Sequence, residues 1–175
     1  MPEREQEGFL SAMAPWLAII VVVAAVDQAT KDMVVKFFAD KDVHGIAVTP
    51  FFDLVLAYNP GAAFSFLAEH SGWQRWFFTA LAAAVCVWLL TMIWQHRDER
   101  LLPFSFALVI GGAVGNVIDR ILLGQVVDFL SFHAGQYAWP AFNLADAAIT
   151  LGVVLMLVGQ FGDKTKNPSD PEPSA

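Results

Sequence analysis

The sequence predicts an all-α membrane protein of four transmembrane helices, with a small β element between the first and second. Three observations carry that expectation. Of the 175 residues, 57% are hydrophobic and only 15% are charged, against roughly 45–50% apolar usage in ordinary soluble domains. Charge-free stretches run over residues 8–26, 76–95, 101–118 and 147–162, and a span needs about 17–25 predominantly apolar residues. The strongly polar side chains near these stretches gather at their ends rather than within them, as the cost of an ionisable group in lipid demands.

Along the chain, residues 1–13 begin as an acidic, polar tail, and the first span is expected over about 14–30. Its apolar run exceeds the 7–15 residues of a signal-peptide core, so the segment is expected to stay attached. Between residues 43 and 58 short alternation places Phe52, Leu54 and Leu56 opposite Asp53, Val55 and Ala57. Pro50 and Asn59-Pro60-Gly61 bound it, which is the signature of a small β element, taken here as about 43–66. Residues 69–76 mix His, Ser, Gly, Trp and Arg as an interfacial connection does. The second and third spans follow at about 75–95 and 101–119. The charge-free segment 129–145 contains Gly135, Gln136, Pro140 and Asn143, which break a helix and resist burial in lipid, and it is expected as a loop. The fourth span reaches adequate length, about 143–162, only by taking in Asn143 and Asp146. Residues 163–175, rich in Pro and Asp, are expected as a disordered cytoplasmic tail, which leaves 14–162 as a single membrane-embedded domain.

Four crossings impose a parity: the ends of spans 1 and 3 and the starts of spans 2 and 4 share one side. Asp27, Lys31, Asn59, Asn116, Asp119, Arg120, Asp128, Asn143 and Asp146 all fall there. The ten Lys and Arg divide evenly between the two sides, so charge bias does not fix the orientation. Other functions are disfavoured. A net charge of −7 without clustered basic residues argues against a nucleic-acid partner. One cysteine, Cys86, and four scattered histidines supply neither a disulfide framework nor a zinc-ligand pattern. No GxSxG or SxxK arrangement supports a serine nucleophile.

Five polar clusters remain. In DQATK, Asp27 and Lys31 stand four apart and can pair on one helical face, closing span 1. In NPGAAF, from residue 59, Pro and Gly make a turn whose small residues also let a substrate backbone lie close. In GGAVGNVIDR, Gly111 and Gly115 form a small-xxx-small packing face, while Asn116, Asp119 and Arg120 could orient carboxylates or fix loop ends. VVDF carries Asp128, and AFNLADAA carries Asn143, a natural helix N-cap, with Asp146. Dipole stabilisation at a helix start accounts for Asp146, but Asp128 has no sequence-adjacent basic partner. Two carboxylates brought together cannot both ionise cheaply, so they share a proton and can act as base and acid toward water and a scissile carbonyl. A small ion- or proton-coupled transporter subunit is the alternative, although its acidic groups would be expected at mid-span.

In this order the five clusters resemble the motifs of lipoprotein signal peptidase, or signal peptidase II, over nearly the whole chain from Asp27 to Ala147. The resemblance implies a four-helix aspartyl endopeptidase with a small extracytoplasmic β-sheet cradle and cytoplasmic termini. Its active site would lie at the periplasmic face of a bacterial inner membrane. It implies cleavage of diacylglyceryl-modified prolipoproteins just before the lipidated Cys, by a monomer surrounded by membrane lipid, with no metal or cofactor. By motif matching it assigns catalysis to Asp128 and Asp146, and substrate-binding or supporting roles to Asp27, Lys31, Asn59, Gly61, Asn116, Arg120 and Asn143.

Overall fold

A computed structural model of the chain describes residues 2–61 and 73–163. In chain order the elements are α1 (Pro2–Phe38), β1 (Gly45–Thr49), β2 (Phe52–Asn59), α2 (Trp73–Gln95), α3 (Leu101–Leu123), β3 (Val126–Ala134), β4 (Tyr137–Ala138) and α4 (Leu144–Asp163). The end of the expected β region, the first half of the 69–76 connection and the chain beyond Asp163 lie outside the described residues.

Among the described residues, three helices are long and apolar enough to cross a bilayer: α1 from Ser11 to Phe38, α2, and α3. The apolar part of α4, Leu144–Gly159, is shorter. α1 corrects two expected boundaries, because it takes in most of the supposed N-terminal tail and continues past residue 30 to Phe38. Tertiary packing explains both extensions. Met13 is buried against Leu89 and Ile93 of α2, and beyond Lys31 the helix-spaced Val34 and Phe38 bury against Phe129. An exposed Asp32–Lys36 pair at 2.6 Å adds i,i+4 support to that last stretch.

The expected loop at 129–145 is also corrected. β3 runs through Val126–Ala134 and pairs antiparallel with β2, placing Ala57 opposite Asp128 and Asn59 opposite Val126. The stretch VVDFLSFHA is apolar except at Asp128, Ser131 and His133 and carries β-branched and aromatic residues, so it suits a strand, buried over its first four residues and partly exposed beyond them. The helix breakers lie after it, with Gly135 at φ 61° turning the chain into β4. The four strands form one antiparallel sheet in chain order, so the β element is larger than the single segment before α2. Leu54 and Leu56 of β2 do share a face, packing toward Val34, Phe38 and Phe129.

α3 is the central helix. Gly111 approaches α1, where an added Cβ would stand 2.7 Å from Val23 Cβ, which bears out the small-residue face. Gly112 faces the other way: its Cβ would collide with Ala145 O and lie 2.8 Å from Ile149 Cγ1. Gly112→Ala is therefore expected to force α3 and α4 apart and cost about 1–3 kcal/mol, read as a lowered unfolding midpoint in detergent. Along α1, the polar residues Asp27 and Lys31 fall between Ile20 of one apolar cluster and Val34 of the other, so the buried polar groups occupy a layer bounded by apolar packing.

Candidate active site

The site begins with Lys31, whose side chain is 4% exposed. An ammonium group has three hydrogens and no acceptor, and all three are used: Asp27 Oδ2 at 2.7 Å, Asp119 Oδ2 at 2.9 Å and Asn116 Oδ1 at 3.1 Å. The expected Asp27–Lys31 pair is thus present, as part of a larger cluster. Asp27 Oδ1 accepts the N–H of Ala145 at 2.9 Å, one of the unpaired amides that open α4. Asp119 Oδ2 accepts Val127 N–H at 3.1 Å, and its Oδ1 accepts Gln28 Nε2 at 2.7 Å.

Asn143 caps α4 as its position suggests, its Oδ1 accepting Asp146 N–H at 2.9 Å. The Asp146 carboxylate in turn accepts Asn143 N–H at 3.4 Å, so the pair forms a reciprocal capping arrangement. The Asn143 amide also donates to Asp128 Oδ1 at 2.8 Å. Phe142 exchanges backbone hydrogen bonds with Leu130 at 2.8 and 3.0 Å, which ties the approach to α4 alongside β3 and brings Asn143 beside Asp128.

Asp128 is 3% exposed. Its second oxygen accepts Asn59 Nδ2 at 3.1 Å. Asn59 is oriented by its own turn, because its Oδ1 accepts Gly61 N–H at 2.9 Å, and Gly61 holds φ 97°, a left-handed conformation that glycine adopts without strain. A Cβ on Gly61 would also meet Phe78 at 2.9 Å. Asp146 is half-buried and accepts Asn116 Nδ2 at 2.7 Å. One side-chain amide, Asn143, therefore touches both expected catalytic residues, and a second, Asn116, joins Asp146 to Lys31.

Burial pushes the Asp128 carboxyl from its usual 3.8 up to about 6. The negative charge of Asp146 adds to the rise, while the amides of Asn59 and Asn143 and the charge of Lys31 oppose it. A carboxyl that keeps its proton closer to neutrality, beside a second carboxylate, is the arrangement required for paired acid and base work.

Eight of the nine expected site residues thus connect by hydrogen bonds or ion pairs of 3.2 Å or shorter. Arg120 stands apart. Among the described residues it pairs with no carboxylate; Nη1 donates weakly to Asn116 O at 3.4 Å and the guanidinium lies 5.7 Å from the Phe78 ring centre. Two further residues are in the network: Asp119, which the sequence offered for orienting carboxylates or fixing loop ends, and Gln28, to which it gave no role. The helical spacing of Asp119 from Asn116 signals a shared face, but nothing local signals that Gln28 reaches α3. Among the described residues no group of three or more His, Cys, Asp or Glu side chains is arranged to hold a metal.

A helical membrane protein with two carboxylates linked across one buried amide network is the class that this fold and site define. The family model described as Signal peptidase (SPase) II matches residues 19–161, so the chain belongs to the signal peptidase II family, a family of peptidases. It is 62% identical over 175 residues to a lipoprotein signal peptidase of Azoarcus sp. (strain BH72), covering 98% of each chain. It is 53% identical over 146 residues to one of Paraburkholderia phymatum, covering 83% of this chain and 87% of the relative. Among solved structures, a bacterial membrane enzyme determined by the in meso method at 2.3 Å superposes with a TM-score of 0.75. That match has 29% identity and covers 91% of this chain and 96% of the other. Family membership displaces the transporter alternative.

Proposed function

We propose that this chain removes signal peptides from diacylglyceryl-modified prolipoproteins by cutting before the lipidated Cys, with Asp128 and Asp146 as an acid–base pair. The observation that carries the chemistry is the Asn143 side chain, which donates to Asp128 at 2.8 Å and accepts the Asp146 N–H at 2.9 Å. The ionised carboxylate takes a proton from water as its oxygen attacks the scissile carbonyl carbon. The protonated carboxyl gives its proton to the carbonyl oxygen, so a neutral diol forms without a free oxyanion. Collapse of the diol breaks the C–N bond, the amine leaves with the proton first taken from water, and the diol proton returns to the pair. The burial of Asp128, nearly complete where Asp146 is only half-buried, supports it as the member that carries the proton before attack.

The remaining parts of the reading concern placement. α4, short in apolar length, completes the fourth crossing with its polar first turn at the interface. The site then opens at the periplasmic face of the inner membrane, and both termini lie in the cytoplasm. Arg120, with nearly all of its donors free of acceptors among the described residues, and Gly61, in its tight turn, contact the substrate backbone; Asn59, Asn116, Asn143, Asp27 and Lys31 hold the pair. The enzyme works as a monomer in contact with membrane lipid, without metal or cofactor.

The test is purified protein in phospholipid–detergent micelles with a diacylglyceryl-modified prolipoprotein and its unlipidated form. Cleavage of the first before Cys and not of the second is the expected result; cleavage of neither, or of both at equal rates, would overturn the reading. A chelator and Cys86→Ala are each expected to leave the rate unchanged within twofold, and loss of activity on chelation would establish a metal. The pH profile follows from the raised Asp128 pKa. The active pair holds one proton and loses it as pH rises through about 6, so kcat/KM should climb as pH falls from 8 toward 6. A profile flat across that interval would assign the proton elsewhere.

A further inference from the structure

The residue immediately before each member of the carboxylate pair donates its backbone N–H into the same buried ion cluster. Val127 N–H goes to Asp119 Oδ2 at 3.1 Å, and Ala145 N–H goes to Asp27 Oδ1 at 2.9 Å. The two carboxylates that accept these bonds are joined by one ammonium, Lys31 Nζ, 2.9 Å from Asp119 Oδ2 and 2.7 Å from Asp27 Oδ2. On the near side β3 and the approach to α4 are tied by the Phe142–Leu130 backbone bonds and by Asn143, which donates to Val127 O at 3.2 Å and Asp128 Oδ1 at 2.8 Å. The two bonds into the ion cluster add a second tie behind them, between the start of β3 and the first turn of α4. The third hydrogen of Lys31 goes to Asn116 Oδ1 at 3.1 Å, which turns the Asn116 Nδ2 toward Asp146 at 2.7 Å.

Fold stability gives a weak account of this cluster. Burying an ion triad costs solvation that its internal attraction roughly offsets, and well-packed apolar side chains of similar volume are often as stable or more so. Geometry gives a stronger one. Two carboxylates that bracket one water must be held within about 0.5 Å of their working positions. A cluster whose ammonium has spent all three hydrogens has few other arrangements available to it. α3 is shaped to seat it: a Cβ on Gly115 would stand 2.5 Å from Asp27 Oδ2.

We propose that Asp27, Lys31 and Asp119 form a spacer that fixes the separation of Asp128 and Asp146 through the backbone N–H groups of Val127 and Ala145, with Asp119 and Gln28 as positioning residues. The proposal rests on the acid–base reading of the pair. The spacer acts on kcat, because it places catalytic atoms and does not touch substrate.

The charged groups that face the pair are Lys31 from α1 and Asp119 and Arg120 from α3, with Asp27 behind Lys31. Asp119→Glu keeps every one of these charges and lengthens one arm of the spacer by a methylene. Expected is a fall in kcat of about 100-fold, the scale of an ångström's misplacement, with KM within twofold and the unfolding midpoint close to the parent's. The upper limb of the kcat profile should move to lower pH, since carboxylates set further apart raise each other's pKa less. Gln28→Leu removes the 2.7 Å bond that steadies Asp119 Oδ1 without altering charge, and about a 10-fold loss in kcat with unchanged KM is expected. It decides the matter if Asp119→Glu fails to fold. Parent kcat and an unmoved pH limb in folded Asp119→Glu, or in Gln28→Leu where the first is unusable, overturn the spacer. Asp146→Asn is measured beside them: if it is inactive while the spacer variants are unimpaired, only the spacer fails, whereas an active Asp146→Asn removes the pair itself.

Discussion

Asp128→Asn and Asp146→Asn are each expected to lower kcat by roughly 1,000-fold or more, since general acid–base groups contribute about 10² to 10⁴ and the proposed mechanism runs both proton transfers through this pair. An amide neither takes the proton of water nor gives one to the carbonyl. Because the two act as a unit, the double variant should lose little beyond either single one. Folding should survive in both, for different reasons. Asn at 146 can still accept from Asn116 Nδ2, which now lies 2.7 Å from the carboxylate. At 128 the change removes a buried charge. A carboxyl whose folded pKa of about 6 exceeds its ordinary 3.8 penalises the fold only when ionised. That penalty is absent below pH 3.8, grows through the interval up to 6, and is complete above it, reaching about 3 kcal/mol. Asp128→Asn should therefore unfold at a higher temperature than the parent at pH 7.5 and at the same temperature at pH 3.5. One donor of Asn59 or Asn143 left facing an amide NH₂ trims that gain. An inactive Asp128→Asn that is also less stable at pH 7.5 would mean that the residue holds the fold together instead of being strained by it.

The sequence made the site's membership visible more readily than its wiring. Parity of four apolar stretches was enough to put Asp27, Asn59, Asn116, Asp128, Asn143 and Asp146 on one side, because lipid expels charge to helix ends regardless of tertiary detail. Local spacing was enough for the Asp27–Lys31 pair and the Asn143 cap, each of which is decided within one turn of helix. The partners of Asp128 were not legible. Asn59 lies 69 positions away and reaches it only through the β2–β3 register, and β3 itself was hidden by the breakers that follow it. The same holds for Asp119 and Val127, whose bond depends on how Gly124, in a left-handed conformation at φ 79°, ends α3 and redirects the chain. The length of α1 escaped prediction because Met13, Val34 and Phe38 are fixed by other elements and not by helix propensity.

Lys31→Met is expected to be the most damaging single change to the fold, costing about 3–5 kcal/mol. The side chain is nearly isosteric as far as its terminal carbon, so packing is largely kept and the loss is electrostatic. Asp27 and Asp119, with side chains 0% and 4% exposed, would face each other with no cation between them. Asn116 would lose the 3.1 Å bond that orients its amide. A lowered unfolding midpoint and poor accumulation in the membrane should follow. Neutralising the stranded carboxylates separates charge from shape: Asp27→Asn and Asp119→Asn placed on Lys31→Met should restore most of the midpoint, since no uncompensated buried charge remains. Asn can still accept from Ala145 N–H and Val127 N–H at 27 and 119, so the elements should dock again. Turnover should stay low, because nothing then bridges the two acceptors and Asn116 keeps only the 3.2 Å bond from Asn143 Nδ2 to orient it. If the triple variant recovered neither midpoint nor insertion, the lysine would be needed for its hydrogen bonds as much as its charge; recovery of full turnover would show that shape alone assembles the site.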